Sequence, residues 1–408
     1  MMDEPEKAKR DFLRAVERRV RQVPGVLSTE RIADDFALRI GLAREAAPTT
    51  FYVNNLWTEV QRLSPQQRDE RIRHYVAALL DLHPEAPQDR ESLLQRLRPV
   101  LRDLASLRTL PSQPLVHRPA LPFLAELLVI DAPHSMSFLP ESHLADYQIT
   151  RDEAFERARQ NLTRDTPDLD LGGRSDQPGP VQWQVGDEYE SSRLLLTEWL
   201  QGIASRADAP LLLAAPERSK LVICLEREAN ATIQFAERVQ ADYESASRGV
   251  SPSVYVRNGR GVVAPYRPGA EHPAHKVLEL GHKKHELASY QAQEEWLATE
   301  MPVELAGAKV LPFRVSQPTG NRPAFSWCEW SGTQPVLMPP TEYVRVRSIT
   351  RWLRRRLECW VRGAELRSQL GADCRVVQGL DPTLSLITRG PGPADAGWLK
   401  RCAIPASE

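Results

Sequence analysis

The sequence predicts an α+β protein, with mixed or antiparallel sheets and flanking helices, a mostly helical N-terminal segment and a smaller C-terminal α+β module. Short apolar runs at 127–130, Leu211–Ala214 and Leu221–Leu225 are bounded by turn-forming residues, as strands are. Between them lie segments whose apolar residues recur three and four positions apart, the pattern of a helix with one buried side. Asn258-Gly259 between two further apolar runs is a hairpin signal, because that pair tolerates the positive φ of a tight turn.

A chain of 408 residues implies two or three units. With 41% hydrophobic and 26% charged residues it has enough apolar material for packed cores. We divide it into 1–108, 109–270 and 271–408. In the first segment Leu13, Val16 and Val20 recur at helical spacing, and residues 32–40 read as a brief strand pair. Ser64 is a good N-cap, Pro65 fits the first helical position and Gln67 completes a capping box, with Ile72, Tyr75 and Val76 on the buried side. A second amphipathic helix is expected over 91–107.

In the middle segment the run at 136–139 pairs with 127–130, and Thr150 with Glu153 opens a capped helix. Asp187, with Glu190 three residues on, opens another that buries Leu194, Leu195, Trp199 and Leu200. A turn at 216–219 joins two strands, and a long helix covers 229–247. The last segment begins with a helix over 273–300, followed by strands at 309–315, 324–330 and 342–347. A basic amphipathic helix over 347–369 and an irregular tail docked through Trp398 complete it.

Several of these segments resemble the YtpQ-like family of bacterial proteins. They are Arg98-Pro99-Val100-Leu101-Arg102, the stretch LLVIDAPHSMSFLPESHL, and the helix ending Ala158-Arg159-Gln160-Asn161-Leu162. The clearest is Asp187-Glu188-Tyr189-Glu190-Ser191-Ser192-Arg193-Leu194-Leu195-Leu196, followed by Ala215-Pro216-Glu217-Arg218-Ser219. The resemblance covers roughly 30–265, with a looser match over 276–347. It implies an α+β fold and an intracellular location, and carries no activity with it. One departure is Ser219, where family members commonly have an acidic residue.

No stretch approaches the roughly 18–20 apolar residues that a membrane span needs. The N-terminus is charged throughout, so a cytoplasmic location is expected. The five cysteines are widely spaced with no C-x-x-C pair, which argues for inert thiols rather than a disulfide framework or a cysteine zinc site. A net charge of −1 shows no global basic surplus of the kind that grips nucleic acid.

Three groups of residues are candidates for function. His275, Glu279, His282 and Glu286 form one stripe of a helix and have the donor atoms of a zinc or iron site, which would suit a metal-dependent hydrolase. The plainer account is a solvated helix face, and the sequence favours it. Asp187 and Arg193 are a polar pair, either beside a cleft or simply closing the local structure. The 347–369 helix puts Trp352 and Trp360 on one side and Arg351, Arg354, Arg355 and Arg356 on the other, as in helices that bind acidic partners or nucleic-acid backbones. Phosphate-loop, dinucleotide-fold and nucleophile-elbow motifs are absent from the sequence, and no cofactor is specified. The expectation is a non-catalytic adaptor whose partner is another protein. A metal-dependent hydrolase is the alternative, and a nucleic-acid binder acting through the arginine-rich helix is third.

Overall fold

The computed structural model describes residues 4–32, 37–42, 49–61, 63–80, 87–107, 114–132, 135–169, 180–183, 185–246, 248–257, 261–318, 322–349 and 356–404. It is α+β, with one three-stranded sheet and several larger mixed or antiparallel ones. Among the described residues no helix is long and apolar enough to cross a membrane. The chain forms two compact units. One takes Met1–Pro99, Pro114–Val116 and Leu128–Arg164; the other takes Val100–Gln113, His117–Leu127 and Asp165–Glu408. Where the sequence suggests three segments in succession, the chain instead passes repeatedly from one unit to the other.

The first unit opens with α1 (Glu4–Val20), β1 (Val26–Ile32), β2 (Ala37–Leu42), β3 (Thr49–Tyr52), α2 (Asn54–Val60) and α3 (Pro65–Leu80). The expected strand pair is a three-stranded antiparallel sheet, β1-β2-β3. The capping box forms as read: Ser64 N–H donates to Gln67 Oε1 at 3.1 Å and Gln67 N–H to Ser64 Oγ at 3.4 Å. Leu13, Val16, Val20, Ile72 and Val76 share one core with Leu38, Ile40 and Leu56.

The helix expected over 91–107 is not one helix. It is α4 (Arg90–Arg96), β4 (Leu97–Asp103) and α5 (Leu104–Leu107). Pro99 opposes a continuous helix, since it has no amide hydrogen for the Gln95 carbonyl and disfavours helical geometry at Arg98, and the chain is extended from Leu97, with ψ 133°. Next come β5 (His117–Leu121), β6 (Leu124–Ala132), β7 (Ser135–Phe138), α6 (Glu141–Asp146) and α7 (Arg151–Arg164). β6 and β7 pair antiparallel with Ile130 opposite Ser137, and Thr150 Oγ1 accepts the Glu153 amide at 3.2 Å, both as expected. Buried Asn161 on α7 donates to the carbonyls of Leu94 at 2.8 Å and Leu97 at 3.0 Å, satisfying the end of α4.

The second unit is built on a five-stranded sheet. It uses β8 (Val181–Trp183), β9 (Leu211–Ala214), β10 (Leu221–Leu225), β11 (Tyr255–Arg257) and β12 (Val263–Pro265), in the order β12-β11-β9-β10-β8. Successive side chains on β9 and β10 enter different cores, which is why these strands are apolar throughout. Leu211, Leu213, Leu221 and Ile223 pack with Leu200 and Ile203 of α8 (Thr197–Arg206). Leu212, Ala214, Val222 and Cys224 pack with Phe235 and Val239 of α9 (Ala229–Glu244) and Leu278 of α10 (His275–Thr299). β11 and β12 form the expected hairpin, whose Asn258-Gly259 turn lies outside the described residues.

Two four-stranded sheets follow α10. Their strands are β13 (Lys309–Val310), β14 (Arg314–Ser316), β15 (Phe325–Ser331), β16 (Val336–Met338), β17 (Tyr343–Ile349) and β18 (Arg356–Arg362), then, beyond α11 (Gly363–Leu370), β19 (Cys374–Val376) and β20 (Ser385–Ile387). The orders are β13-β16-β20-β19 and β14-β15-β17-β18, with β13–β16 and β15–β17 parallel. Cys328, Trp330, Val344, Val346 and Val361 face one core with Val336, Met338 and Ile387.

Among the described residues of 347–369, the expected basic helix is replaced by strand up to Ile349 and again over Arg356–Arg362. β17 and β18 pair antiparallel across that stretch, and α11 begins only at Gly363. A period of two wins over a period of 3.6: Val344, Val346 and Val361 are buried, while Arg347, Glu358 and Arg362 between them are exposed. Trp327 likewise points away from the core that takes Cys328 and Trp330. The described part of the tail is regular where an irregular tail is expected: it forms α12 (Ala396–Cys402), and Ile404 beyond it bridges to Trp360. Buried Asp395 holds it, accepting from Arg389 at 2.7 and 2.9 Å, from the Gly392 amide at 2.8 Å and from Trp398 Nε1 at 3.2 Å.

Candidate functional site

The stretch 185–196 shows why its residues come as a block. The expected single helix from Asp187 is instead a turn, a 3-10 segment over Ser191–Leu195 and then α8. Positive φ at Gly186 (83°) and Glu188 (64°) bends the chain inward, an uncommon conformation for a residue with a side chain. Residues 189–196 are consequently all buried. Glu190 Oε1 accepts from the amides of Gly186 at 2.6 Å and Val185 at 3.1 Å, pinning the turn rather than capping a helix.

Arg193, fully buried, is held on every side. It makes a two-pronged contact with Asp187, Nη1 to Oδ1 at 2.9 Å and Nη2 to Oδ2 at 2.5 Å, while its Nε donates to Thr166 Oγ1 at 3.1 Å. The guanidinium also lies 4.9 Å from the Trp183 ring centre. Burial works to raise the Asp187 carboxyl, but hydrogen bonds and charge from Arg193, with the Tyr189 amide, outweigh it and hold the group below its ordinary value. Asp187 and Arg193 are therefore a closed structural pair.

Three separate segments, 98–102, 187–196 and 215–219, meet at this block. The Leu101 amide donates to Ser192 Oγ at 3.1 Å, and the Ser191 amide donates to the Arg218 carbonyl at 3.2 Å. A second zipper joins 215–218 to 248–251: Arg218 N to Arg248 O at 3.2 Å, Val250 N to Pro216 O at 3.0 Å and Ser251 N to Ala215 O at 3.1 Å. The expected 216–219 turn is thus locked between the polar block and the chain leaving α9.

Arg102 is where this convergence becomes chemical. Its side chain is 4% exposed, and its Nη1 donates to the Leu101 carbonyl at 2.9 Å. Burial first, then the positive charges of Arg218 and Arg248, press its pKa below the ordinary value, and Tyr189 and Glu188 oppose them more weakly. Among the described residues, Arg102 Nε, Ser191 Oγ and Glu190 Oε2 are buried with no hydrogen-bond partner. A buried donor without a partner, such as Arg102 Nε, costs about 1–3 kcal/mol and more when charged, a cost that a hydrogen-bond acceptor on a ligand would offset.

On the next residue of β4, Asp103 starts a buried polar chain. Asp103 Oδ2 meets His285 Nε2 at 3.1 Å, His285 Nδ1 meets Ser251 Oγ at 3.2 Å, and Ser251 Oγ meets the Tyr255 hydroxyl at 2.7 Å. The composition suggests a hydrolase triad, but the imidazole is reversed, with serine on Nδ1 and aspartate on Nε2. Ser251 is fully buried and also accepts the Ser253 amide at 3.1 Å, so it is committed to holding α10 in place.

The helix predicted for the His/Glu stripe forms, but its four side chains turn to other partners, and its two carboxylates share Arg267. His275 Nδ1 contacts the Pro268 carbonyl at 3.0 Å, Glu279 takes Arg267 at 2.8 Å, His282 Nε2 contacts the Tyr266 carbonyl at 3.1 Å, and Glu286 takes Lys283 at 2.9 Å. The solvated-face account is corrected too: His282, Lys283 and His285 are buried, and burial holds His282 down to about 4. Among the described residues no three His, Cys, Asp or Glu side chains are grouped as metal ligands. All five cysteines are free, and burial pushes Cys224 up to about 11 and Cys328 up to about 12.

Of the arginine-rich candidates, Arg351, Trp352, Arg354 and Arg355 lie outside the described residues, Arg356 begins β18, and Trp360 is half-buried on that strand. Sequence reasoning passed over Arg102 as a site and did not single out Arg248. The available signal was a charged pair, Arg102-Asp103, inside the apolar run Val100 to Leu104. Compared with protein families, curated proteins and solved structures, the chain matches none.

Proposed function

We propose that this is a non-catalytic binding protein whose ligand presents a phosphoryl dianion to Arg102, Arg218 and Arg248. The observation that carries the reading is Arg102 itself, a buried guanidinium on which the positive charges of two further arginines outweigh the negative ones. Guanidinium groups within electrostatic reach of one another, one of them buried, are a setting that an anion would stabilise. The planar fork of arginine matches phosphate oxygens two at a time. The positive φ of Glu188 beside it is strain of the kind found at binding sites. The YtpQ-like resemblance, itself a proposal, fits this reading, since its segments converge there.

The adaptor reading through 347–369 loses its support, because it needed a continuous basic helix. Catalysis is not favoured either, because the Asp103–His285–Ser251 chain is enclosed and reversed. The test is thermal unfolding with phosphate and pyrophosphate against chloride at equal ionic strength. A specific ligand at 100 times its Kd stabilises the fold by about 2.7 kcal/mol. Wild-type protein should show that anion-dependent shift and R102M should lose it. Equal shifts in both proteins would sink the proposal.

A further inference from the structure

The sheet β14-β15-β17-β18 has a second face. Its inner side chains (Cys328, Trp330, Val344, Val346 and Val361) fill a core, so the alternate positions point the other way. The register aligns four of these across the sheet: Arg314 opposite Trp327, Trp327 opposite Tyr343, Tyr343 opposite Arg362. Two aromatic rings in the central strands are thus flanked by an arginine on each edge strand. Arg314 and Arg362 are exposed, and among the described residues neither has an ion-pair partner. The Arg314 guanidinium lies 5.2 Å from the Trp327 ring centre.

The aromatic surface extends beyond this row. Trp360 meets Trp327 edge-on at 5.2 Å between ring centres, and Phe325 meets Tyr343 at 5.3 Å. All four rings are only half-buried although none belongs to the adjoining core. The next rows are polar. Arg345 and Arg347 pair with Glu329 and Glu358, so the charges of that part of the face are answered within the sheet.

We propose that this face binds single-stranded nucleic acid, with bases stacked on Trp327, Tyr343 and Trp360 and phosphates held by Arg314 and Arg362. Charge and chemistry select this occupant. An acidic protein would be drawn to the arginines but has no use for three accessible rings, and an apolar partner has no use for arginines at both edges. Bases and phosphates together use both, and ring stacking is tolerant of sequence. The inference is independent of the phosphoryl site, whose arginines lie on β4 and in two turns.

The experiment is fluorescence anisotropy with a labelled single-stranded DNA of roughly 15 nucleotides, in the range one such platform covers. Intrinsic tryptophan emission is recorded alongside. Wild-type protein should bind with affinity that falls steeply with salt and with quenched tryptophan emission. The exposed double variant R314E/R362E should bind at least about tenfold more weakly with an unchanged circular dichroism spectrum. W327L should remove most of the quenching, and R102M should bind like wild type. Absence of binding at low salt would overturn the proposal. So would full binding by R314E/R362E, or equal binding of heparin and duplex DNA without quenching, which would show plain attraction of polyanions.

Discussion

Two buried arginines in the second unit, Arg193 and Arg102, have opposite surroundings. Arg193 is enclosed by Asp187, Thr166 and the face of Trp183, so its charge is answered within the protein. Arg102 has a carbonyl and the fields of two more arginines. Burial of a charge is costly in both cases. For Arg193 the fold supplies a two-pronged carboxylate, whereas for Arg102 the Leu101 carbonyl and the fields of Tyr189 and Glu188 offset burial and the two arginines only in part. The contrast separates a residue kept for structure from one whose environment makes sense around an anion.

The largest effect expected is at Arg193. R193A leaves Asp187 without its partner and the Glu188 turn without its anchor, and should cost about 3–5 kcal/mol in urea unfolding. Arg102 should behave in the opposite way: R102M removes like-charge repulsion and one partnerless donor. Without phosphate it should be stabilised by about 1–3 kcal/mol while losing the phosphate-dependent shift. If R102M were destabilised as strongly as R193A, both arginines would be structural and the contrast would collapse.

Part of this was legible in sequence. The Ser64 and Thr150 caps, the β6–β7 pair and the long helix α10 follow from local chemistry that acts over three or four residues. So does the pairing of Arg193 with a carboxylate. The arginine cluster was not legible, because Arg102, Arg218 and Arg248 come from distant positions brought together by backbone zippers that leave no periodic trace. The stretch 347–369 failed for a different reason. Arginine, leucine and tryptophan suit helix and strand alike, and the choice was made by Val344, Val346 and Val361 meeting Trp330 in a core. Pro99 was a readable breaker whose weight was missed in the 91–107 helix.

Acid sharpens the comparison further. The folded Asp187 carboxyl sits below its unfolded value of about 3.9, so its contribution is fully present above that pH and is lost as pH falls through the folded value. Wild-type protein should therefore lose stability over this acid range by more than D187N, which has no carboxylate to protonate. Unfolding midpoints of the two proteins between pH 5 and roughly pH 2 give the slope directly. Parallel curves would mean that Asp187 does not hold Arg193 in solution.

The smallest effect comes from the first unit and calibrates the others. Ser64 satisfies an end-of-helix amide on α3 much as Asp187 satisfies Arg193, but in an exposed position where water can take its place. S64A should therefore cost only about 1 kcal/mol, because Gln67 N–H and Ser64 N–H are rehydrated when the box opens. Chemical denaturation of this variant, beside R193A, measures how much burial amplifies the loss of one polar partner. A cost for S64A approaching that of R193A would mean that helix closure rather than desolvation dominates both, and the argument from burial at Arg102 would weaken with it.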